Sequence, residues 1–224
     1  MKEILQKAIA NKQKALSEYD SKRVVASAGV TITKEGLATS RDEAVKLAEE
    51  IGFPVVLKGC SSTVTHKTEM GMVKLGLSGG DDVAQAYDEI MAAGLELDGV
   101  LVQEMIKGQR EFVIGLTRDP QFGPCVMFGL GGIFTEVLND VSFRVAPITE
   151  IDAMEMIEEI KTKKLLDEFR GSPAVDRNTL VKALVGIGNL GNEHDEIAEI
   201  DINPVIISGD QPIAVDALVV LDNS

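Results

Sequence analysis

Short apolar runs closed off by turn residues, rather than long amphipathic repeats, set the architecture open to this chain. FPVVLKG predicts a strand over 53–58, MVKLGL one over 72–77 and VLVQEMI one over 100–106. REFVIGLTRD, CVMFGLGGIF (a strand running into a glycine loop) and the extended SFRVAPI follow in the second half. The chain closes with EIAEIDINPVIIS and IAVDALVVL, a strand pair joined by a Gly209-Asp210 turn. Helical patterns alternate with these runs: residues 3–16, then a stretch from Ser17 to a terminating Gly29, then 150–169 and 176–190. Ser40 followed by Glu43 is a capping box, with Ala44, Leu47, Ala48 and Ile51 as the inward stripe before Gly52. DDVAQAYDEIMAAG starts with acids that complement its dipole. The class expected is α+β.

Composition narrows the function classes. The 224 residues carry a net charge of −14, which argues against a general nucleic-acid or anionic-membrane binder, both of which need a basic face. No run approaches the ~18 apolar residues of a membrane span, and the start of the chain lacks a signal-peptide core. Cys60 and Cys125 lie far apart without a pairing motif, so a reducing cytoplasm is expected and both thiols are read as small hydrophobes.

Four places bear residues suited to chemistry. Lys58, followed by Gly59, ends an apolar strand and can put a compact positive charge on a phosphate oxygen; snorkelling to water is the alternative. His66 lies in the hydroxyl-rich SSTVTHKTEMG, where imidazole can serve as base or phosphoryl-accepting nucleophile, or be a solvated loop residue. Asp201 and Asn203, two apart on a strand, share a face, and Asp216 in the paired strand can come alongside. Their hard oxygens suit Mg²⁺ unless that face is merely wet. The loop GLGGIF at 129–134 offers N–H groups for an anion but is neither a P-loop nor a Rossmann fingerprint.

The segments FPVVLK, HKTEMG, LVQEMIKGQREFVIGLTRDPQFGP, FGLGGIFTEVLNDVSFRVAPI and AEIDINPVII…AVDALVVL resemble the ATP-grasp (beta) subunit of the ADP-forming acyl-CoA synthetases, from about Leu16 to the end. The resemblance implies an ATP-grasp fold of two interlocked α+β lobes with nucleotide bound between them. Residues 20–98 would form the small lobe with Lys58 and the His66 loop; 1–19 and 99–224 would form the large lobe. It implies ATP or ADP with Mg²⁺ as cofactors and the reaction acyl-CoA + ADP + phosphate ⇌ carboxylate + CoA + ATP through a phosphohistidine relay. Carried over residue by residue, His66 is the phosphoryl carrier and Asp201 steadies an active-site imidazole. Lys58 and Gly59 meet the nucleotide phosphates, Glu104 and Ile106 hold adenine through backbone groups, and Glu111 lies on the ribose or phosphate side. Asn203 and Asp216 hold the metal.

Two departures stand out: Ser61-Ser62-Thr63-Val64 where the family has S-P-D-I, and Met72 after Gly71 where it has a second glycine. The chain has no room for CoA-binding modules, so the implied partner is a CoA-binding/CoA-ligase alpha subunit in an α2β2 heterotetramer. A free subunit is favoured over an excised domain. Two other functions fit the same residues: an ATP-grasp carboxylate ligase without phosphohistidine, and a non-catalytic nucleotide-sensing module. Intact Lys58, Asn203 and Asp216 tell against the last.

Overall fold

The computed structural model describes residues 1–61, 71–132, 140–168 and 171–222. These divide into a larger compact unit (1–16, 20–32 and 106 to the C-terminus) and a smaller one (17–19 and 33–105). Its boundaries differ from the expected ones in three places: 17–19 and 99–105 fall in the smaller unit and 20–32 in the larger. The strand over 99–104 is hydrogen-bonded on both edges within the smaller unit's sheet, and residues 20–32 give Val24 and Val25 to the larger unit's core.

In the smaller unit, β1 (Glu35–Ala38), β2 (Val55–Cys60), β3 (Val73–Leu77) and β4 (Gly99–Glu104) form an antiparallel sheet in the order β1-β4-β2-β3. β1 is a strand that the apolar-run pattern does not signal. Helices α3 (Arg41–Ile51) and α4 (Gly80–Met91) close one core with it through Ala44, Ala48, Val83, Ile90, Val55 and Leu57. The Ser40 cap forms as expected in part: its side chain accepts from the Glu43 N–H. The Glu43 carboxylate instead accepts from the backbone N–H and hydroxyl of Thr39, which hold it below the usual carboxylate range.

The larger unit is built on β5 (Glu111–Asp119), β6 (Gly123–Leu130), β7 (Val141–Val145), β8 (Ile197–Ser208), β9 (Gln211–Ala214) and β10 (Leu218–Leu221). The sheet order is β10-β8-β5-β6-β7, with β9 sharing the β10 edge of β8. Helices α1 (Lys2–Ala10), α2 (Glu18–Ser27), α5 (Glu150–Glu159) and α6 (Arg177–Glu193) supply the rest of its core. At the core's centre Phe112 and Phe128 stack at 5.6 Å. Gly186 lets α6 pack closely against the turn that follows α2, because a Cβ there would collide with the Ala28 carbonyl.

Three elements stop earlier than their patterns suggest, each for a local reason. α1 ends at Ala10, Lys12 turns to φ 53°, and the chain then runs beside β10, with Leu16 N–H donating to the Val219 carbonyl. α5 ends at Glu159 because the carboxylate of Asp140 accepts the Lys161 and Thr162 N–H groups at 2.7 and 2.8 Å, competing with continued helix. The final apolar run is two strands rather than one, broken at 215–217.

Candidate functional site

In the larger unit, strand alternation separates two faces of β8. Ile200 and Ile202 enter the core, while Asp201 and Asn203 point to the other face, as their spacing requires. Register then adds what spacing alone does not. β5 pairs Ile114 with Ile202 and Phe112 with Val205, so Asn203 and Pro204 together oppose one residue, Val113. This bulge re-aims Asn203, and its Oδ1 accepts the N–H of Gly132 at 3.2 Å. Gly131 donates to the Glu111 carbonyl at 2.9 Å. A Cβ on Gly132, whose φ is +68°, would strike the Glu111 carboxylate. Glu111, Asn203 and the head of the glycine loop therefore meet at one corner. Ile133 and Phe134, the end of GLGGIF, lie outside the described residues.

Beside this corner the same face of the sheet carries the buried Val113, the partly buried Met127 and two glycines, with the Met127 methyl lying over Gly115. Gly115 sits directly opposite Asp201, and Gly129 opposite Val113. Asp201 is half-buried, and its pKa is raised to about 6, first by burial and then by the charges of Glu199 and Asp216. Asp216 does come alongside, but from the break between β9 and β10 rather than from a strand as expected. Val215 N–H donates to the Pro204 carbonyl at 3.1 Å, which seats this break against the bulge.

A divalent cation fits these residues. Among the described residues no three His, Cys, Asp or Glu side chains could hold a metal by themselves. Mg²⁺, however, is commonly held by one or two protein oxygens completed by substrate phosphates and water. An amide oxygen with a carboxylate suits that partial set, and the repulsion between Asp201 and Asp216 is what a cation would relieve.

In the smaller unit Lys58 lies inside β2, paired with Val73 and Leu101, rather than snorkelling to water. Its Nζ is 2.6 Å from Oε1 of Glu18. Gly59 donates to the Met72 carbonyl at 2.9 Å, and a Cβ on Gly59 would collide with the Met72 methyl. The departure at Met72 is thus absorbed: its bulk enters the core where Gly59 makes room. Glu104 receives the Lys34 N–H on its carboxylate at 2.8 Å and donates its own N–H to the Lys34 carbonyl; Met105 N–H is taken by Pro54. Ile106, the next residue but one, is partly buried. His66 and Ser62–Val64 lie outside the described residues.

Pattern reading missed Glu18 and Lys22. Both are buried on α2, Lys22 completely, and with Ser21 and Val25 they occupy the spacing of one inward helical stripe. Charges on the inward stripe were the available signal.

The ATP-grasp domain pattern matches residues 7–221, and the chain belongs to that class of proteins. Within it the chain belongs to the family of ADP-forming acetate–CoA ligase beta subunits. It is 43% identical to the beta subunit of acetate–CoA ligase (ADP-forming) I from Pyrococcus furiosus, over 98% of this chain and 97% of that one. It is 41% identical to acetate–CoA ligase (ADP-forming) I of Archaeoglobus fulgidus over 88% of this chain but only 30% of that longer protein. Among solved structures, an acetyl-coenzyme A synthetase of Candidatus Korarchaeum cryptofilum, in complex with coenzyme A and Ca-AMPCP, superposes with a TM-score of 0.93. It is 47% identical, with 98% of this chain and 99% of that one covered. Another structure of that synthetase holds coenzyme A and Mg-AMPPCP with its phosphohistidine segment pointing towards the nucleotide-binding site; its TM-score is 0.88 at 46% identity, covering 98% and 99%. No helix among the described residues is long and apolar enough to cross a membrane.

Proposed function

We infer that this chain is the nucleotide-binding, phosphoryl-transfer subunit of an ADP-forming acyl-CoA synthetase, catalysing acyl-CoA + ADP + phosphate ⇌ carboxylate + CoA + ATP together with a CoA-binding alpha subunit. The observation that carries the reading is the corner in the larger unit, where Glu111, Asn203 and the glycine loop meet beside Asp201. Phosphoryl transfer asks little covalent help of a protein and much positioning and charge. Lys58 supplies a cation for the phosphates; Gly59, its N–H committed to the Met72 carbonyl and its open side filled by Met72, makes room for that side chain rather than meeting a phosphate. The Glu104 and Met105 N–H groups are engaged by Lys34 and Pro54, which points to the Glu104 carbonyl and the Ile106 N–H for adenine. Glu111 takes the ribose or phosphate side.

Asn203 and Asp216 would hold Mg²⁺, which when bound neutralises charge on the phosphate oxygens. His66 carries the phosphoryl group: a P–N bond to its ring forms as the bond to the ADP leaving oxygen breaks, and the reverse step makes ATP. Asp201, short of a counter-charge, accepts the N–H of an active-site imidazole, which fixes the neutral ring's tautomer and stabilises the ring's charge when it is protonated. ATP and ADP are the nucleotides, an α2β2 heterotetramer the assembly and the cytoplasm the compartment.

The test is intact-mass measurement after incubating the chain with Mg·ATP, alone and with its alpha subunit, alongside His66→Asn. An acid-labile gain of one phosphate that the variant lacks is expected. No gain in either setting would refute the relay.

A further inference from the structure

The Lys58 ammonium is shared with a residue that the reading above does not use. Glu18 is the first residue of α2, and its carboxylate lies 2.6 Å from Lys58 Nζ, joining positions 40 apart in the chain. The two side chains are only 2% and 9% exposed. Burying both charges costs desolvation that their attraction roughly offsets, so such a pair adds little stability over an apolar one of the same volume. The pair therefore calls for another reason. Two are physical. An ammonium carries three N–H donors, and committing one to Glu18 fixes the directions of the others. A carboxylate at this distance also offsets part of the positive charge a phosphate would feel.

We propose that Glu18 is a positioning residue for nucleotide binding, aiming the Lys58 ammonium at the phosphates and, by sharing it, limiting how tightly the polyphosphate is held. This rests on Lys58 being a phosphate-binding residue. The advantage is kinetic. In a reversible reaction ATP and ADP each leave as a product, and binding both more tightly without favouring the transition state slows exchange. At the first position of a helix, Glu18 also lies where the dipole favours an anion, which keeps the carboxylate in place.

Calorimetric titration of the full chain with Mg·ADP and with a non-hydrolysable Mg·ATP analogue tests this. Glu18→Gln keeps the volume and an acceptor oxygen but removes the charge; binding of both nucleotides should tighten by about 3- to 10-fold. Glu18→Asp keeps the charge but retracts the carboxylate, and binding should weaken about 3-fold as the aim is lost. Damage to the fold lowers affinity, so it does not mimic the gain in Glu18→Gln; should that variant fail to fold, the Glu18→Asp result decides. Lys58→Met separates the two layers of the argument. If it abolishes binding while Glu18→Gln binds no tighter than the parent chain, the role of Glu18 is overturned and that of Lys58 stands. If Lys58→Met binds normally, both fall.

Discussion

Replacing Asp201 by Asn should make the ligand-free protein more stable while removing its activity. The carboxylate's pKa rises from 3.8 to about 6 because burial, Glu199 and Asp216 all oppose its charge. That difference corresponds to about 3 kcal/mol at pH 8, and water reaching this half-buried group lowers the expected gain to about 1–3 kcal/mol. The direction in pH is set by the sign. A group whose folded pKa lies above its unfolded one favours the fold below the unfolded value, here 3.8, and loses that contribution as pH rises through about 6. Asn, which never ionises, should therefore melt about 2–10 °C above the parent chain at pH 8 and show no such advantage near pH 4. Thermal melts at both pH values, in EDTA and without nucleotide, measure this. Equal gains at both pH values, or a loss at pH 8, would refute the view that Asp201 is an uncompensated charge. Phosphoryl transfer by the same variant, with its alpha subunit present, should be abolished.

Asn203→Ala removes the acceptor for Gly132 and one oxygen of the metal set; Mg²⁺-dependent nucleotide binding should fall at least ~10-fold in calorimetry while the melting temperature changes little. Gly59→Ala should destabilise the fold by about 1–3 kcal/mol through collision with Met72, and Gly59→Ala/Met72→Ala should lose less than the two single costs combined in denaturant titration. Glu159, hydrogen-bonded by Arg144 and Ser142, has its pKa lowered to about 2. Its contribution is present above pH 4.5 and lost as pH falls towards 2, so the parent chain and Glu159→Gln should differ in stability at pH 7 and converge in acid.

Elements whose periodicity agrees with their surroundings are legible in the chain, such as α3 with its Ser40 cap or β8 with its alternating isoleucines. Illegible are the points where a distant group intervenes. Nothing between 150 and 169 announces a helix end at Glu159, because the competing acceptor, Asp140, stands upstream. β1 is short and lacks an apolar run, and it forms because β4 offers an open edge. At the site, the shared face of Asp201 and Asn203 follows from their spacing. The bulge that turns Asn203 towards Gly132 does not, since it depends on where β5 pairs. Glu18 escaped notice because a residue that is polar by type is read as exposed until the stripe it occupies is drawn.

The hydrogen bond from Leu130 N–H to the Asp140 carbonyl brings the two ends of the intervening stretch together, and the Asp140 carboxylate ties the far end to residues 161 and 162. Doubling the length of such a loop adds only about 0.6 kcal/mol of closure entropy. The pairing of β6 with β7 is therefore pinned at its open end by Leu130 and Asp140, whatever length of chain connects them.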